Sequence, residues 1–164
     1  MILYIVRHAW AEEPGDPAWS DDAQRPLTRE GKERFAKVVK TLAERGFAPQ
    51  RIATSPLVRC RETAEIVAKH VRHKPEIVER SELAPHSDLE GILRWSRSQA
   101  GECEELAWVG HAPDVGHMAK ALLGSGSGEI RFAKGAIAAI RFDGLPAVGR
   151  GELWWLVTAK LLGC

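Results

Sequence analysis

Strands alternating with helices predict a single-domain three-layer α/β/α sandwich, built on a mostly parallel sheet with an antiparallel edge. Two observations carry that reading. Short apolar runs with little polar alternation, ILYIV at 2–6 and ELAWVGH at 105–111, read as strands buried on both faces. The last two apolar runs, AIAAIRF at 136–142 and ELWWLV at 152–157, are joined by the turn-rich DGLPAVGRG, which predicts a hairpin at one edge.

The elements follow in order. After ILYIV, residues 9–27 are rich in Pro, Gly, Asp and Ser, with Trp10 and Trp19 embedded. A loop that long in a compact domain is either functional or disordered. Thr28 is an N-cap, Phe35, Val38, Val39 and Leu42 mark one helical face, and Gly46 is a natural stop. RIATSP at 51–56 reads as a short strand, with Ser55 capping a helix whose first position is Pro56. Leu57, Cys60, Ala64, Val67 and Val71 form the stripe of that helix. EIVER at 76–80 is a short edge strand and 88–99 a helix; Pro113 opens another helix that runs to about Leu123.

Composition narrows the function. At 164 residues the chain is one domain, 1–164, with 45% hydrophobic and 27% charged residues, the profile of an ordinary globular protein. A formal net charge of +1 argues against a surface that coats nucleic acid, so anion binding must come from local clustering. Cys60, Cys103 and Cys164 are odd in number and lack C-x-x-C spacing, which argues against a disulfide framework or a zinc ribbon. The start Met1-Ile2-Leu3 has no charged leader and no apolar run is long enough to cross a bilayer, so a cytoplasmic address and no membrane partner are expected.

The chemistry lies at the strand ends. In layered α/β folds the ligand site lies beyond the carboxyl ends of the strands. Arg7 and His8 end the first strand, Arg59 lies in the first turns of the helix after the second, and His111 ends LAWVGH. Two arginines and two histidines therefore converge at one sheet edge, beside helix N-termini that add partial positive charge. Arginine forks match phosphate oxygens, so such a pocket suits a tetrahedral dianion.

RHA at 7–9, RPLTREG at 25–31, TSPLVRCRETAE at 54–65 and VGHAPD at 109–114 stand in the order of four motifs of the histidine phosphatase superfamily. Over nearly its whole length the chain resembles that family, most closely the short, SixA-like phosphohistidine phosphatases. The resemblance implies a phosphoglycerate mutase-like fold, with His8 as nucleophile, Arg7 and Arg59 as phosphate ligands and His111 as the second histidine. It implies no cofactor and no metal, the cations neutralising the equatorial oxygens instead. Of the carboxylates after the third strand (Glu79, Glu82, Asp88), Glu82 sits best as leaving-group acid, although the family's Trp-Glu-Gly context is missing. A weak acid position leans toward a phosphoramidate substrate, because imidazole leaves more easily than an alkoxide. A short chain with little to cover the pocket leans the same way, toward phosphohistidine on a protein. The alternatives are a small phosphomonoester, such as a sugar phosphate or nucleotide, and a non-catalytic phosphate-binding protein on this fold.

Other residues have plainer readings. His70, His73, His86 and His117 are expected on the surface or on helices rather than in catalysis, and Arg61 faces solvent. Arg25 either lines the phosphate pocket or anchors the long loop. Trp10 and Trp19 pin that loop to the body or meet a partner. Trp108, Trp154 and Trp155 belong to strands and are expected in packing. GSGSGE at 124–129 lacks the Gly-Lys-Ser/Thr ending of a P-loop and reads as a connector.

Overall fold

The computed structural model describes residues 1–164. The elements run β1 (Ile2–Arg7), α1 (Arg29–Ala43), β2 (Arg51–Thr54), α2 (Val58–His70), β3 (Glu76–Glu79), α3 (Leu89–Ser98), β4 (Glu105–Gly110), α4 (Asp114–Leu123), β5 (Ile137–Arg141) and β6 (Glu152–Val157). The six strands form one sheet in the order β3-β2-β4-β1-β5-β6. The first four in that order pair in parallel, whereas β5 is antiparallel to both β1 and β6. The predicted mixed sheet with an antiparallel edge is therefore present.

Side-chain alternation along each central strand feeds two cores. Tyr4 and Val6 of β1 join Ala107 and Val109 of β4 under α1 and α2. Leu3 and Ile5 join Leu106 and Trp108 under α3 and α4. Each central strand is covered on both faces, which is why ILYIV and ELAWVG carry no polar alternation.

The helix ends follow local chemistry. Thr28 Oγ1 accepts from the Gly31 amide at 2.8 Å, the expected cap of α1. At its other end Gly46, at φ +98, turns the chain so that the Phe47 amide reaches Leu42 O at 3.0 Å, a Schellman closure.

The expected start of α2 is corrected. The helix begins at Val58, with Leu57 in the cap position and no side-chain cap bond. Ser55 is fully buried; its hydroxyl lies 2.8 Å from His111 Nε2 at the sheet edge and accepts from the Leu57 amide at 3.4 Å, ahead of the first helical residue. Trp154 is a second correction. It is 60% exposed, whereas Trp108 is fully buried and Trp155 is half-buried against Tyr4. β6 is an edge strand with a register shift in its middle, so one side of it is left uncovered.

Candidate active site

Parallel pairing puts the carboxyl ends of three strands side by side. Arg7 is in register with Gly110, and Thr54 with Val109, so the next residues, His8, His111 and Ser55, emerge at one edge. They open into a cleft of about 350 Å3. Arg7, His8, Arg25, Arg59 and His111 all line it. The four residues placed there by strand-end reasoning are thus brought together, and Arg25 joins them.

His8 is 8% exposed. Its Nδ1 lies 2.8 Å from the Ala9 carbonyl, which can only accept, so Nδ1 carries the proton. In the neutral ring this leaves the lone pair on Nε2. Burial pulls the His8 pKa down to about 3, helped by the charges of His111, Arg59 and Arg7. At neutral pH the imidazole is therefore uncharged and nucleophilic at Nε2. Its backbone is fixed on three sides: His8 N donates to Gly110 O at 3.0 Å, Gly135 N donates to His8 O at 3.1 Å, and Ala9 N donates to Thr63 Oγ1 at 3.1 Å. Gly135 has φ +69, and a Cβ there would stand 3.0 Å from Trp10 and 3.1 Å from Phe35. A side chain there would strain the backbone and press on both rings, so glycine is favoured.

The ring of His111 lies 5.4 Å from that of His8, centroid to centroid. Ser55 Oγ is 2.8 Å and Cys60 Sγ 3.4 Å from its Nε2. Burial and the charge of Arg59 pull the His111 pKa down to about 4. In the protein's own field His111 is thus neutral, and a dianion among these groups would be needed to bring a proton onto it. Burial pushes the Cys60 thiol up to about 12, so it stays protonated. Cys60 packs against His111 as a small apolar neighbour.

The arginines are held from opposite sides. Arg7 Nη1 donates to Phe132 O at 2.8 Å. Arg59, 5% exposed, donates through Nη1 to Asp22 O at 2.8 Å and pairs through Nη2 with Asp22 Oδ2 at 3.0 Å. Arg25 Nε takes Asp22 Oδ1 at 2.7 Å, and its Nη1 donates to Glu12 O at 2.7 Å. Both readings of Arg25 are therefore true together: it faces the cleft and anchors the loop. The hydrogen bond from Arg25 is the main cause holding the Asp22 carboxyl below the usual range, with Arg59 adding to it.

Residues 9–27 are tied back to the body of the fold. Ala11 bridges Leu27, Leu27 N donates to Glu62 Oε2 at 2.7 Å, and Trp10 stacks under the Arg34 guanidinium at 4.2 Å. Trp10 pins the loop to the body.

The structure does not bring Glu82 to the cleft. It lies in a 3-10 turn, Ser81–Leu83, with its carboxylate paired to Arg80. Burial acts to raise its pKa, but hydrogen bonds from its own backbone amide and from Arg80 prevail and hold it low. Glu79 pairs with Arg61 at 3.4 Å, and Asp88 caps α3 through the Gly91 amide at 2.9 Å. The carboxylate that lines the cleft is Asp114, which accepts from the His86 amide at 2.9 Å. His86, expected away from catalysis, is exposed yet lines the cleft, as does Lys134. His73 and His117 are exposed and His70 is half-buried, all outside the cleft lining.

Cations, an uncharged imidazole and a small polar floor suit a tetrahedral oxyanion. Residues 3–117 match the histidine phosphatase superfamily (branch 1). An uncharacterized protein of Picosynechococcus sp. is 34% identical over 167 residues, spanning 99% of both chains. The fold is similar to that of the protein histidine phosphatase SixA complexed with tungstate, with a TM-score of 0.85, 24% identity and 99% of both chains covered. It is also similar to a mycobacterial glucosyl-3-phosphoglycerate phosphatase with inorganic phosphate, with a TM-score of 0.65 and 15% identity over 97% of this chain and 98% of that one. The chain belongs to the histidine phosphatase superfamily.

Proposed function

We propose that the protein is a metal-independent phosphatase that removes the phosphoryl group from phosphohistidine on a protein, through a phosphohistidine on its own His8. The observation that carries this reading is the His8 tautomer: Nδ1–H is tied to Ala9 O, and Nε2 is free. Nε2 attacks phosphorus in line. The P–N bond to the substrate imidazole breaks as the P–Nε2 bond forms, and the leaving imidazole takes up a proton. Arg7 and Arg59 hold the equatorial oxygens, with Arg25 beside them, and His111, protonated once the dianion is bound, supplies a further donor. Water then displaces His8 from phosphorus, releasing inorganic phosphate and restoring the neutral imidazole.

The substrate side of the proposal follows from proton demand. An alkyl ester leaves as an alkoxide and needs an acid at the bridging oxygen. Glu82, the expected acid, is engaged by Arg80, and Asp114 faces the His86 amide. A leaving imidazole asks for less help, which favours a phosphoramidate. The solved SixA relative carries tungstate, a tetrahedral oxyanion like phosphate. A small phosphomonoester is the second reading, favoured by a cleft volume of about 350 Å3, ample for a sugar phosphate.

The test is phosphate release from a histidine-phosphorylated carrier protein in the presence of a chelator, comparing wild type with His8→Ala. Release by wild type alone is expected. Release by neither, with hydrolysis of small esters by wild type, would move the assignment to the second reading.

A further inference from the structure

A second basic region continues from the cleft. A trough of about 560 Å3 shares Arg7 and Lys134 with it and adds Arg34, Arg131 and Lys160. No carboxylate lines it. Trp10 floors one side, beneath the Arg34 guanidinium.

Most of these charges are locally uncompensated. Arg7, Arg131, Lys134 and Lys160 have no carboxylate side chain within 4.0 Å; Arg7 donates to the Phe132 carbonyl at 2.8 Å, and Arg34 donates to the α-carboxyl oxygen of Cys164 at 2.9 Å. Some cations outside the trough do have carboxylate partners: Arg51 meets both Glu76 and Glu102, and Lys32 meets Glu62. Burial depresses the Arg7 pKa, and the neighbouring Arg131 depresses it further, the mark of two guanidiniums held together without an anion between them. With a net charge of +1 for the whole chain, five cations in one hollow, four of them without a carboxylate partner, are a local concentration rather than a general excess. Carboxylates line only the neighbouring hollows: Glu13 and Glu30 beyond Arg34 and Lys134, Asp114 in the cleft, and Glu129, which pairs with Lys120, beyond Arg131.

We propose that this trough binds acidic side chains flanking the phosphohistidine of a protein substrate, an inference that rests on the phosphohistidine reading above. One phosphoryl group is already met by Arg7, Arg25 and Arg59 in the cleft. The trough is larger than the cleft, and its cations come from separate elements: Arg34 from α1, Arg131 and Lys134 from the segment before β5, and Lys160 after β6. Spread charges of that kind match several carboxylates on a surface better than one compact anion. Such contacts steer the partner and set its orientation, so they act on KM and on the salt dependence more than on the chemical step.

The test uses two phosphohistidine peptides of equal length, one flanked by Asp and Glu, the other by Asn and Ser. They are assayed with wild type and with the Arg131→Ala/Lys160→Ala double variant; both residues are exposed, so the fold is kept. Wild type should show a KM about 5- to 10-fold lower for the acidic peptide, shrinking as salt rises above ~0.15 M. In the double variant the two KM values should fall within about twofold of each other, with kcat and p-nitrophenyl phosphate hydrolysis unchanged. Equal KM values in wild type, or an undiminished preference in the variant, would overturn the trough while leaving the phosphohistidine reading standing. Hydrolysis of the ester but of neither peptide would overturn that reading and the trough with it. A preference seen only among small esters bearing a second anionic group would overturn the protein partner.

Discussion

The two ends of the central sheet hold cavities of opposite character. At the carboxyl ends of β1, β2 and β4 lies the cationic cleft, with three histidines, three arginines and a lysine among its lining residues. At the other end of β1 lies a hollow of about 450 Å3 walled by Tyr4, Phe47, Trp154 and Trp155, where the Tyr4 hydroxyl donates to Glu105 at 2.8 Å. The same strand therefore begins in packing and ends at a cationic cleft. At the amino end each aromatic group contributes through area and ring geometry: Tyr4 meets Phe47 edge-on at 4.7 Å. At the carboxyl end the groups are held against their own solvation preference, poised for an anion.

The widest gap between the ends should come from truncating one central group at each. His8→Ala should lower turnover by about four orders of magnitude or more, with stability changed by only ~1 kcal/mol, because the ring sits at the cleft rather than in either core. Phe47→Ala should do the reverse. Phe47 is 2% exposed within the α1–α2 core, so its loss should cost about 3–5 kcal/mol, read by urea denaturation, with kcat on any hydrolysed substrate within about twofold. A Phe47 variant that lost turnover while still folded would show that the two ends are coupled.

How far each end was legible from sequence differs for a physical reason. Arg7, His8 and His111 were readable because a strand buried on both faces can end only at its sheet edge, and parallel strands end at the same one. Arg59 was readable because it lies in the first turn of the helix that follows β2. Asp22 and Lys134 were not, since their places depend on how loops fold back over that edge; Asp114 ends VGHAPD and opens α4, but the motif drew no role for it. Ser55 looked like a cap from its neighbour Pro56, but the hydroxyl goes to His111, a partner 56 residues away. Glu82 was placed by its distance after β3, and distance along a chain does not fix direction: Arg80, two residues earlier, captures the carboxylate. Trp154 failed because strand character does not reveal which strand is the outermost.

Acid should weaken the cleft end first. His8 and His111 titrate near 3 and 4 in the folded chain, against an ordinary histidine value of 6.5. Between about pH 6.5 and 4 the unfolded chain therefore binds protons that the folded chain refuses. The stabilisation from the two buried neutral rings is complete above 6.5 and drains away as pH falls toward those folded values. Two such groups give a slope of at most ~3 kcal/mol per pH unit in that window. Urea midpoints taken across it, for wild type and His8→Ala, should show the slope cut by about half in the variant. An unchanged slope would mean that carboxylates, not these rings, govern acid unfolding.

Alkali should weaken the other end, by the smallest of these effects. Burial pushes the Tyr4 hydroxyl pKa up, and Glu105 pushes it further through its hydrogen bond and its charge. Above pH 10, the ordinary value, the unfolded phenol ionises while the folded one stays neutral, so stability is lost as pH rises beyond that point, by up to ~1.4 kcal/mol per unit. Tyr4→Phe keeps the ring on Phe47 and removes only the hydroxyl. At pH 7 it should cost ~1 kcal/mol, the net worth of one hydrogen bond to a carboxylate that keeps some access to solvent. Above pH 10 the variant should lose less than wild type, so that the two stability curves converge. Curves that stay parallel would mean that Tyr4 ionises alike in both states and that its tie to Glu105 contributes nothing at this end of the sheet.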